Sequence, residues 1–305
     1  MYLLVIKQLI TMTLIGVGGF IFAKAFKVNE GERQFLSKLL LYFINPLMVV
    51  NSFNREFDSS HLIQFIFVLI VAIVIHGVMI VVGLLSSKEK IDRISVVFTN
   101  CGFIGIPLIR GVFGDECVFY LMGYLVVFNT LVWTYGYYQV CGKINFKKII
   151  TNPNIIAVIT GIVIFLLPST LPAFIGEPLR FIADTNTAVS MILLGVLMAD
   201  FKAKDSYVMV KRLGKTIVMR MVLCSLINIA VLFVVYKLFP NVPDVRTLIF
   251  VVLICSMCPV ATSVPGLACV FNKDAPYASM LVSISSLLCI LTLPSFVAIA
   301  ELIIK

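Results

Sequence analysis

The stretch that most constrains the fold is FTNCGFIGIPL at residues 98–108, where two glycines and a proline interrupt an apolar run. Residues 258–268, CPVATSVPGLA, interrupt a later run with two prolines and a glycine. Proline removes a backbone donor and clashes with the preceding turn, while glycine tolerates the unwound backbone that results. Each stretch therefore predicts a helix that is broken near its middle.

The composition places these helices in a membrane. The chain has 305 residues, of which 61% are hydrophobic and only 13% are charged, whereas soluble domains carry roughly 25% charged residues. A helix needs about 20 apolar residues to cross the hydrocarbon. Ten such runs occur, at residues 3–23, 36–54, 62–86, 94–113, 117–141, 152–168, 178–199, 214–239, 247–271 and 276–303. The sequence predicts an all-α integral membrane protein with ten transmembrane helices.

The distribution of cations predicts the orientation. Short loops rich in Lys and Arg stay cytoplasmic. With the amino terminus outside, the inside loops hold sixteen cations: Lys24, Lys27, Arg33, Lys38, Lys88, Lys90, Arg93, Lys143, Lys147, Lys148, Lys202, Lys204, Lys211, Arg212, Lys215 and Lys273. The outside segments hold seven: Lys7, Arg55, Arg110, Arg180, Lys237, Arg246 and Lys305. Both termini are therefore expected outside the inner membrane. This bias explains the net charge of +9 without nucleic-acid binding.

Two sets of five spans predict an inverted repeat, because an odd number of crossings turns the second half upside down. We assign helices one to five to residues 1–150 and helices six to ten to residues 151–305. The interruptions fall in the fourth and ninth spans, at corresponding places in the two halves. Paired broken helices of this kind indicate the substrate site of a secondary transporter; the alternative is that each proline only kinks a packed helix.

The broken helices favour an anionic substrate. Each resumes with its amino-terminal end at the membrane centre, where unpaired N–H groups carry partial positive charge. Polar side chains at the breaks add hydrogen bonds. Asn45 with Pro46 is expected to break the second span near its middle, which predicts a gating hinge or site-lining position there. The predicted substrate-binding residues are Asn45, Asn100, Gly102, Gly105, Pro107, Pro259, Thr262, Ser263 and Pro265.

The chain resembles the auxin efflux carrier family of permeases, within the bile acid, arsenite and riboflavin transporter superfamily. The resemblance runs nearly end to end. Its motifs include Asn45-Pro46, Asn100-x-Gly102-Phe103-x-Gly105-Ile106-Pro107-Leu108, Asn129-x-Leu131-x-Trp133-Thr134-Tyr135-Gly136, Asn152-Pro153, Pro259-x-Ala261-Thr262, Asp274-Ala275 and Leu291-Thr292-Leu293-Pro294.

The resemblance implies a five-plus-five inverted repeat with helices four and nine crossing at the substrate site. It also implies carboxylate substrates: malate, malonate and other carboxylates in bacteria, and indole-3-acetate in plants. Asparagines beside the crossover prolines contact the carboxylate in plant members, and Asn100 is the nearest equivalent here. The ninth span has no asparagine at its break, so Thr262 and Ser263 would serve there.

The sequence leaves the energy source open. No acid lies at the centre of a span, so the coupling ion is a proton, sodium or none. His76 is expected to be a packing residue rather than a proton carrier. Arg220 is expected to snorkel to the interface; the alternative is that it faces the cavity. The sequence contains no recognisable enzymatic or metal-binding motif and no cofactor site. The rival function is a channel or a ligand sensor. By analogy with related transporters, a homodimer is expected.

Overall fold

The structure, a computed structural model, describes residues 1–142, 150–167, 169–199, 207–271 and 273–305. Within these ranges the chain is helical and contains no β-strand. The helices in chain order are α1 (Tyr2–Ala25), α2 (Glu30–Phe53), α3 (Ser59–Ser86), α4 (Lys90–Val97), α5 (Cys101–Phe113), α6 (Asp115–Cys141), α7 (Pro153–Phe165), α8 (Ala173–Ala199), α9 (Met209–Leu238), α10 (Val245–Met257), α11 (Ser263–Val270) and α12 (Ala275–Ile303).

Seven of these helices are long and apolar enough to cross a membrane: α1, α2, α3, α6, α8, α9 and α12. The other apolar helices, α5, α7 and α10, have between 10 and 17 residues. At 1.5 Å per residue, a helix of this length is shorter than about 30 Å of hydrocarbon. The expected all-helical membrane architecture is therefore confirmed, while the ten-span, five-plus-five arrangement stays a prediction.

Each predicted interruption contains a short non-helical segment, whereas the rest of the stretch, including Gly102, Pro107 and Pro265, is helical. Residues 98–100 separate α4 from α5, and residues 258–262 separate α10 from α11. The two broken segments lie at the centre of the bundle, since residues 248–257 are almost entirely buried. By contrast, Leu14 and Ile21 in α1 are 67% and 60% exposed, as expected for a lipid-facing helix. The helices that carry the breaks are therefore enclosed by the others.

The second span differs from its prediction in two respects. Its helix begins at Glu30 rather than near residue 36, because Asn29 and Glu32 form a reciprocal capping box that starts the helix in the charged segment. The helix also continues through Pro46 instead of breaking there. A π-helical turn at Leu40–Ile44 precedes the proline and takes up the irregular hydrogen bonding that the missing N–H requires.

Glycines let α1 and α8 approach each other closely. A Cβ atom added to Gly19 would overlap the backbone of Ile192, and one added to Gly195 would overlap the backbone of Gly16. Close backbone approach through small residues is a principal source of helix association in lipid, where apolar burial supplies little driving force. This contact fixes the amino-terminal helix against the second half of the chain.

Candidate functional site

The two broken segments meet at a crossing, which comprises residues 98–100 and residues 258–262. An antiparallel backbone bridge joins Thr99 to Val260. Two hydrogen bonds flank it, from the Asn100 N–H to the Pro259 carbonyl at 2.7 Å and from the Ala261 N–H to the Phe98 carbonyl at 3.0 Å. Backbone groups released by the breaks cannot be left unpaired in an apolar interior. At the crossing, each segment supplies partners for the other.

A cavity of about 880 Å³ extends from the crossing to the end of the bundle where α2, α7 and α12 begin. Its inner end is formed by polar residues of the crossing, and its walls carry Phe103, Phe128 and Trp133. Among the described residues that line it, only Glu30 and Arg33 are charged, and both lie at the outer end. The cavity thus offers an apolar wall and an uncharged polar floor to a small amphipathic molecule.

Three polar atoms on the floor are buried and have no hydrogen-bond partner in the described part of the chain. They are the Thr99 hydroxyl, the Asn100 amide nitrogen Nδ2 and the Ser263 hydroxyl. Thr99 and Asn100 are only 1% and 3% exposed. An unsatisfied buried polar group costs about 1–3 kcal/mol. Groups left in this state beside a cavity are therefore placed to bind a ligand.

The amino-terminal ends of α5 and α11 lie at the same floor. The first helical residues are Cys101 and Ser263, which follow directly on the crossing. The first turn of any helix has N–H groups without intrahelical partners and carries partial positive charge. The floor therefore combines two positive helix ends with side-chain donors from Asn100 and Ser263. This arrangement is chemically suited to an anion.

Three π-helical turns shape the cavity wall. They are Leu40–Ile44 in α2, Cys101–Gly105 in α5 and Val132–Gly136 in α6. Each contributes lining residues, such as Leu41, Gly102 and Trp133. A fourth π turn, Met219–Leu223, lies in α9. Because π turns displace a helix from its regular hydrogen bonding, they often mark functional sites, and here they cluster around the cavity and the crossing.

The structure brings six of the nine predicted site residues to the cavity: Asn45, Asn100, Gly102, Thr262, Ser263 and Pro265. Asn45 also accepts a hydrogen bond from the side chain of Asn186 in α8. The other three lie behind the wall. A Cβ atom on Gly105 would lie 3.6 Å from the sulfur atoms of Cys255 and Cys258, the Pro107 carbonyl accepts a hydrogen bond from Gln8, and the Pro259 carbonyl is paired within the crossing.

The expectation that Arg220 snorkels to the interface is wrong. Its side chain is 1% exposed and lies beside the crossing, on the π turn of α9. The guanidinium donates to three backbone carbonyls: Val96 at 2.9 Å, Ser256, and Cys258 at 2.9 Å. These carbonyls lie at the ends of α4 and α10, where no following N–H groups are available. The broken helices supply acceptors that hold the arginine inside the bundle.

A second buried polar pair was not predicted. Asp92 is 3% exposed, and its carboxylate accepts hydrogen bonds from Arg212 at 2.9–3.1 Å and from the Ser87 hydroxyl at 3.0 Å. The Arg212 guanidinium also lies over the Tyr277 ring, 4.2 Å from its centroid. Asp92 precedes the apolar run of the fourth span, so the sequence resembles an ordinary exposed helix start. The pair links the start of α4 to α9 and α12.

His76 occupies a packing position, as expected. Its Nδ1 atom lies 2.8 Å from the Ala72 carbonyl, and the ring packs against Tyr124 with a centroid separation of 4.8 Å. It does not line the cavity. Across the residues that the structure describes, no group of three or more His, Cys, Asp or Glu side chains is arranged to hold a metal ion.

Comparisons with known proteins agree with this geometry. A family model described as membrane transport protein matches residues 4–141 and 138–297, which together cover nearly the whole chain. The chain is also similar to an uncharacterized transporter of Methanocaldococcus jannaschii, with 26% identity over 216 residues that cover 63% of this chain and 68% of the relative. The match confirms the family that the sequence motifs indicated.

Proposed function

This chain belongs to the membrane transport protein family, and on that premise we propose that it is a secondary transporter of a small organic anion, a mono- or dicarboxylate. The observation that carries the proposal is the cavity that ends at the crossing of two broken helices. Discontinuous helices whose amino-terminal ends point at the substrate are a recurring design of secondary transporters. The chain is a multi-pass membrane protein, and alternating access would move the substrate past the crossing.

The floor of the cavity supports the choice of an anion. Asn100 Nδ2 is a donor without a partner, and the first turns of α5 and α11 add backbone N–H groups. A carboxylate accepts hydrogen bonds from all of these groups, whereas a cation would meet donors and positive helix ends. The apolar wall formed by residues such as Phe103 and Phe128 would contact the carbon skeleton of the substrate.

The helix arrangement supports a five-plus-five inverted repeat with ten spans. α4 with α5 forms one broken span in residues 1–150, and α10 with α11 forms the other in residues 151–305. The cavity reaches the end of the bundle beside the starts of α2, α7 and α12, and the loops at this end hold most of the Lys and Arg residues among those that the structure describes. By the positive-inside rule this end is cytoplasmic. This orientation would make the cavity open to the cytoplasm, and we therefore propose an inward-facing state with both termini outside.

The proposal is tested by reconstituting the protein in liposomes and recording solid-supported-membrane currents for malate, malonate and phenylacetate. Measurements at two pH values, with sodium or choline, identify any coupling ion. Asn100→Ala removes the unpartnered donor on the cavity floor. Asn51→Ala is the matched control, because Asn51 lies in α2 outside the cavity lining.

A carrier gives saturable, exchangeable flux that weakens in Asn100→Ala and persists in Asn51→Ala. Flux that rises linearly with concentration without saturation would indicate a channel instead. If a carboxylate binds but no current or exchange follows in the wild-type protein, transport is excluded and a ligand sensor takes its place.

A further inference from the structure

The crossing has a second face, opposite the cavity, where a single side chain donates hydrogen bonds to several backbone carbonyls. The Arg220 guanidinium donates to the carbonyl of Val96 at the end of α4 and to those of Ser256 and Cys258 at the end of α10. Asn228 adds a longer contact of 3.4 Å to Ser256. One cation therefore binds the carboxyl-terminal ends of both broken helices at once.

The charge of Arg220 has no acidic partner in the part of the chain that the structure describes. The ion pairs found there are at the bundle ends, such as Arg212 with Asp92 and Arg110 with Asp115. A buried ion without an ionic partner is costly, and three backbone carbonyl dipoles accept the hydrogen bonds of this one. Helix carboxyl termini carry about half a negative charge each. The partial negative charges of two such ends approximately balance the positive charge of one guanidinium.

The two faces are electrostatically linked. Without a cation, the negative ends of α4 and α10 would lie across the crossing from the cavity floor and oppose the positive ends of α5 and α11. A fixed arginine removes that opposition. Within the crossing, between its two faces, little solvent is available to screen the effect, since Phe98 and Val260 are fully buried.

We propose that Arg220 is a positioning and selectivity residue, which neutralises the carboxyl-terminal ends of both broken helices and thereby makes the cavity floor select an anion over a neutral ligand. The inference rests on the proposed anion transport and assigns its charge selectivity to a residue that does not line the cavity. Unwound carbonyls and helix carboxyl termini are also the ligands that bind coupling cations in other transporters. Because the guanidinium occupies these carbonyls, anion binding at the crossing does not require sodium.

Trp133 provides a direct assay. It is the only tryptophan in the sequence and it lines the cavity, so its fluorescence reports ligand binding in the purified protein. Two carboxylate and amide pairs serve as probes, malonate with malonamide and phenylacetate with phenylacetamide. Each pair keeps the carbon skeleton and changes the charge. The measured quantity is the ratio of amide to carboxylate dissociation constants, with sodium or choline as the cation.

We compare the wild type with Arg220→Lys, Arg220→Gln and the control Arg246→Gln. Arg246 also donates to a backbone carbonyl, that of Ile304 at 3.1 Å, but it lies at the far end of the bundle. The ratio is expected to fall about tenfold in Arg220→Gln, to be largely kept in Arg220→Lys and to be unchanged in Arg246→Gln. A residue with a merely structural role would alter both ligands of a pair together and leave the ratio unchanged.

The outcomes separate this inference from the proposed function. If neither carboxylate binds the wild type, anion transport is wrong. If carboxylates bind but need sodium, or if folded Arg220→Gln keeps the wild-type ratio, the role of Arg220 is wrong while transport stands. If Arg220→Gln does not fold, Arg220→Lys decides: a retained ratio with sodium-independent binding supports the role, and a lost ratio overturns it.

Discussion

The two faces of the crossing treat their polar groups in opposite ways. On the arginine face, three carbonyls converge on one guanidinium. On the cavity face, Thr99, Asn100 and Ser263 each have a buried polar atom without a partner in the described structure. Both sets arise from the same two breaks in the helices. The same irregular backbone thus creates a satisfied face, where the three carbonyls are paired although Arg220 Nε and Asn228 Oδ1 have no partner among the described residues, and an unsatisfied face beside the cavity.

This difference separates stability from binding. Removing a group from the satisfied face leaves its partners unpaired, so the cost falls on folding. Removing a group from the unsatisfied face relieves a buried atom that had no partner, so the cost appears only when ligand binds. Mutations on the two faces should therefore move two different measurements.

The largest effect is expected for Arg220→Met, which leaves three carbonyls at the crossing without their donor. A buried acceptor left without its donor costs about 1–3 kcal/mol, and three lose theirs together, so the thermal unfolding midpoint in detergent should fall strongly. Lys211→Met is the control, because it removes an exposed cation from the same helix. Equal midpoints for the two variants would contradict the stabilising role of the arginine face.

Asn100→Ala should act on binding and spare stability. Hydrogen bonds to a charged group contribute about 1.5–3 kcal/mol, so the carboxylate dissociation constant measured by Trp133 fluorescence should rise about tenfold or more. The unfolding midpoint should stay near that of the wild type, since Nδ2 has no protein partner to lose. A large fall in the midpoint with unchanged affinity would place Asn100 with the satisfied face.

Two adjacent serines in α12 allow a finer comparison. The Ser285 hydroxyl accepts a hydrogen bond from the Val260 N–H at 3.1 Å, within the crossing. The Ser286 hydroxyl is buried without a partner. Ser285→Ala should therefore destabilise the protein by about 1 kcal/mol or more, and Ser286→Ala should not. Thermal unfolding of both variants, purified alike, measures the difference, and the reverse order of midpoints would refute the assignment.

The breaks themselves were predictable, whereas their partners were not. Both breaks occur in stretches marked by glycine and proline, so their approximate places at residues 98–108 and 258–268 could be recognised locally, although the non-helical residues 98–100 contain neither residue type. Arg220 reaches carbonyls that are 124 and 36 residues away in sequence. A cation within an apolar run resembles a snorkelling residue until the broken helix ends that accept its hydrogen bonds are located in space.

The same reasoning explains which residues of the candidate site could be identified from the sequence. Asn100, Thr262 and Ser263 could be singled out because polar residues beside a helix break are locally visible, and they do line the cavity. The sequence grouped Pro107 and Pro259 with these three residues, but the two prolines shape the backbone and do not line the cavity. Asp92 was missed because its burial depends on Arg212, which lies 120 residues further along the chain.

The smallest effect is expected for Gly102→Ala, which tests how closely the cavity floor fits the ligand. A Cβ atom at Gly102 would meet nothing within 4 Å, and the residue lines the cavity. The methyl group would enter the ligand space and weaken carboxylate binding by a few fold, about 0.5–1 kcal/mol, while the helical position should gain slightly in stability. Gly77→Ala is the control, because its Cβ also meets nothing but lies in α3 away from the cavity. Weaker binding in Gly102→Ala alone would place the substrate against α5 at the crossing, and equal binding in both variants would place it nearer the wall formed by α2 and α6.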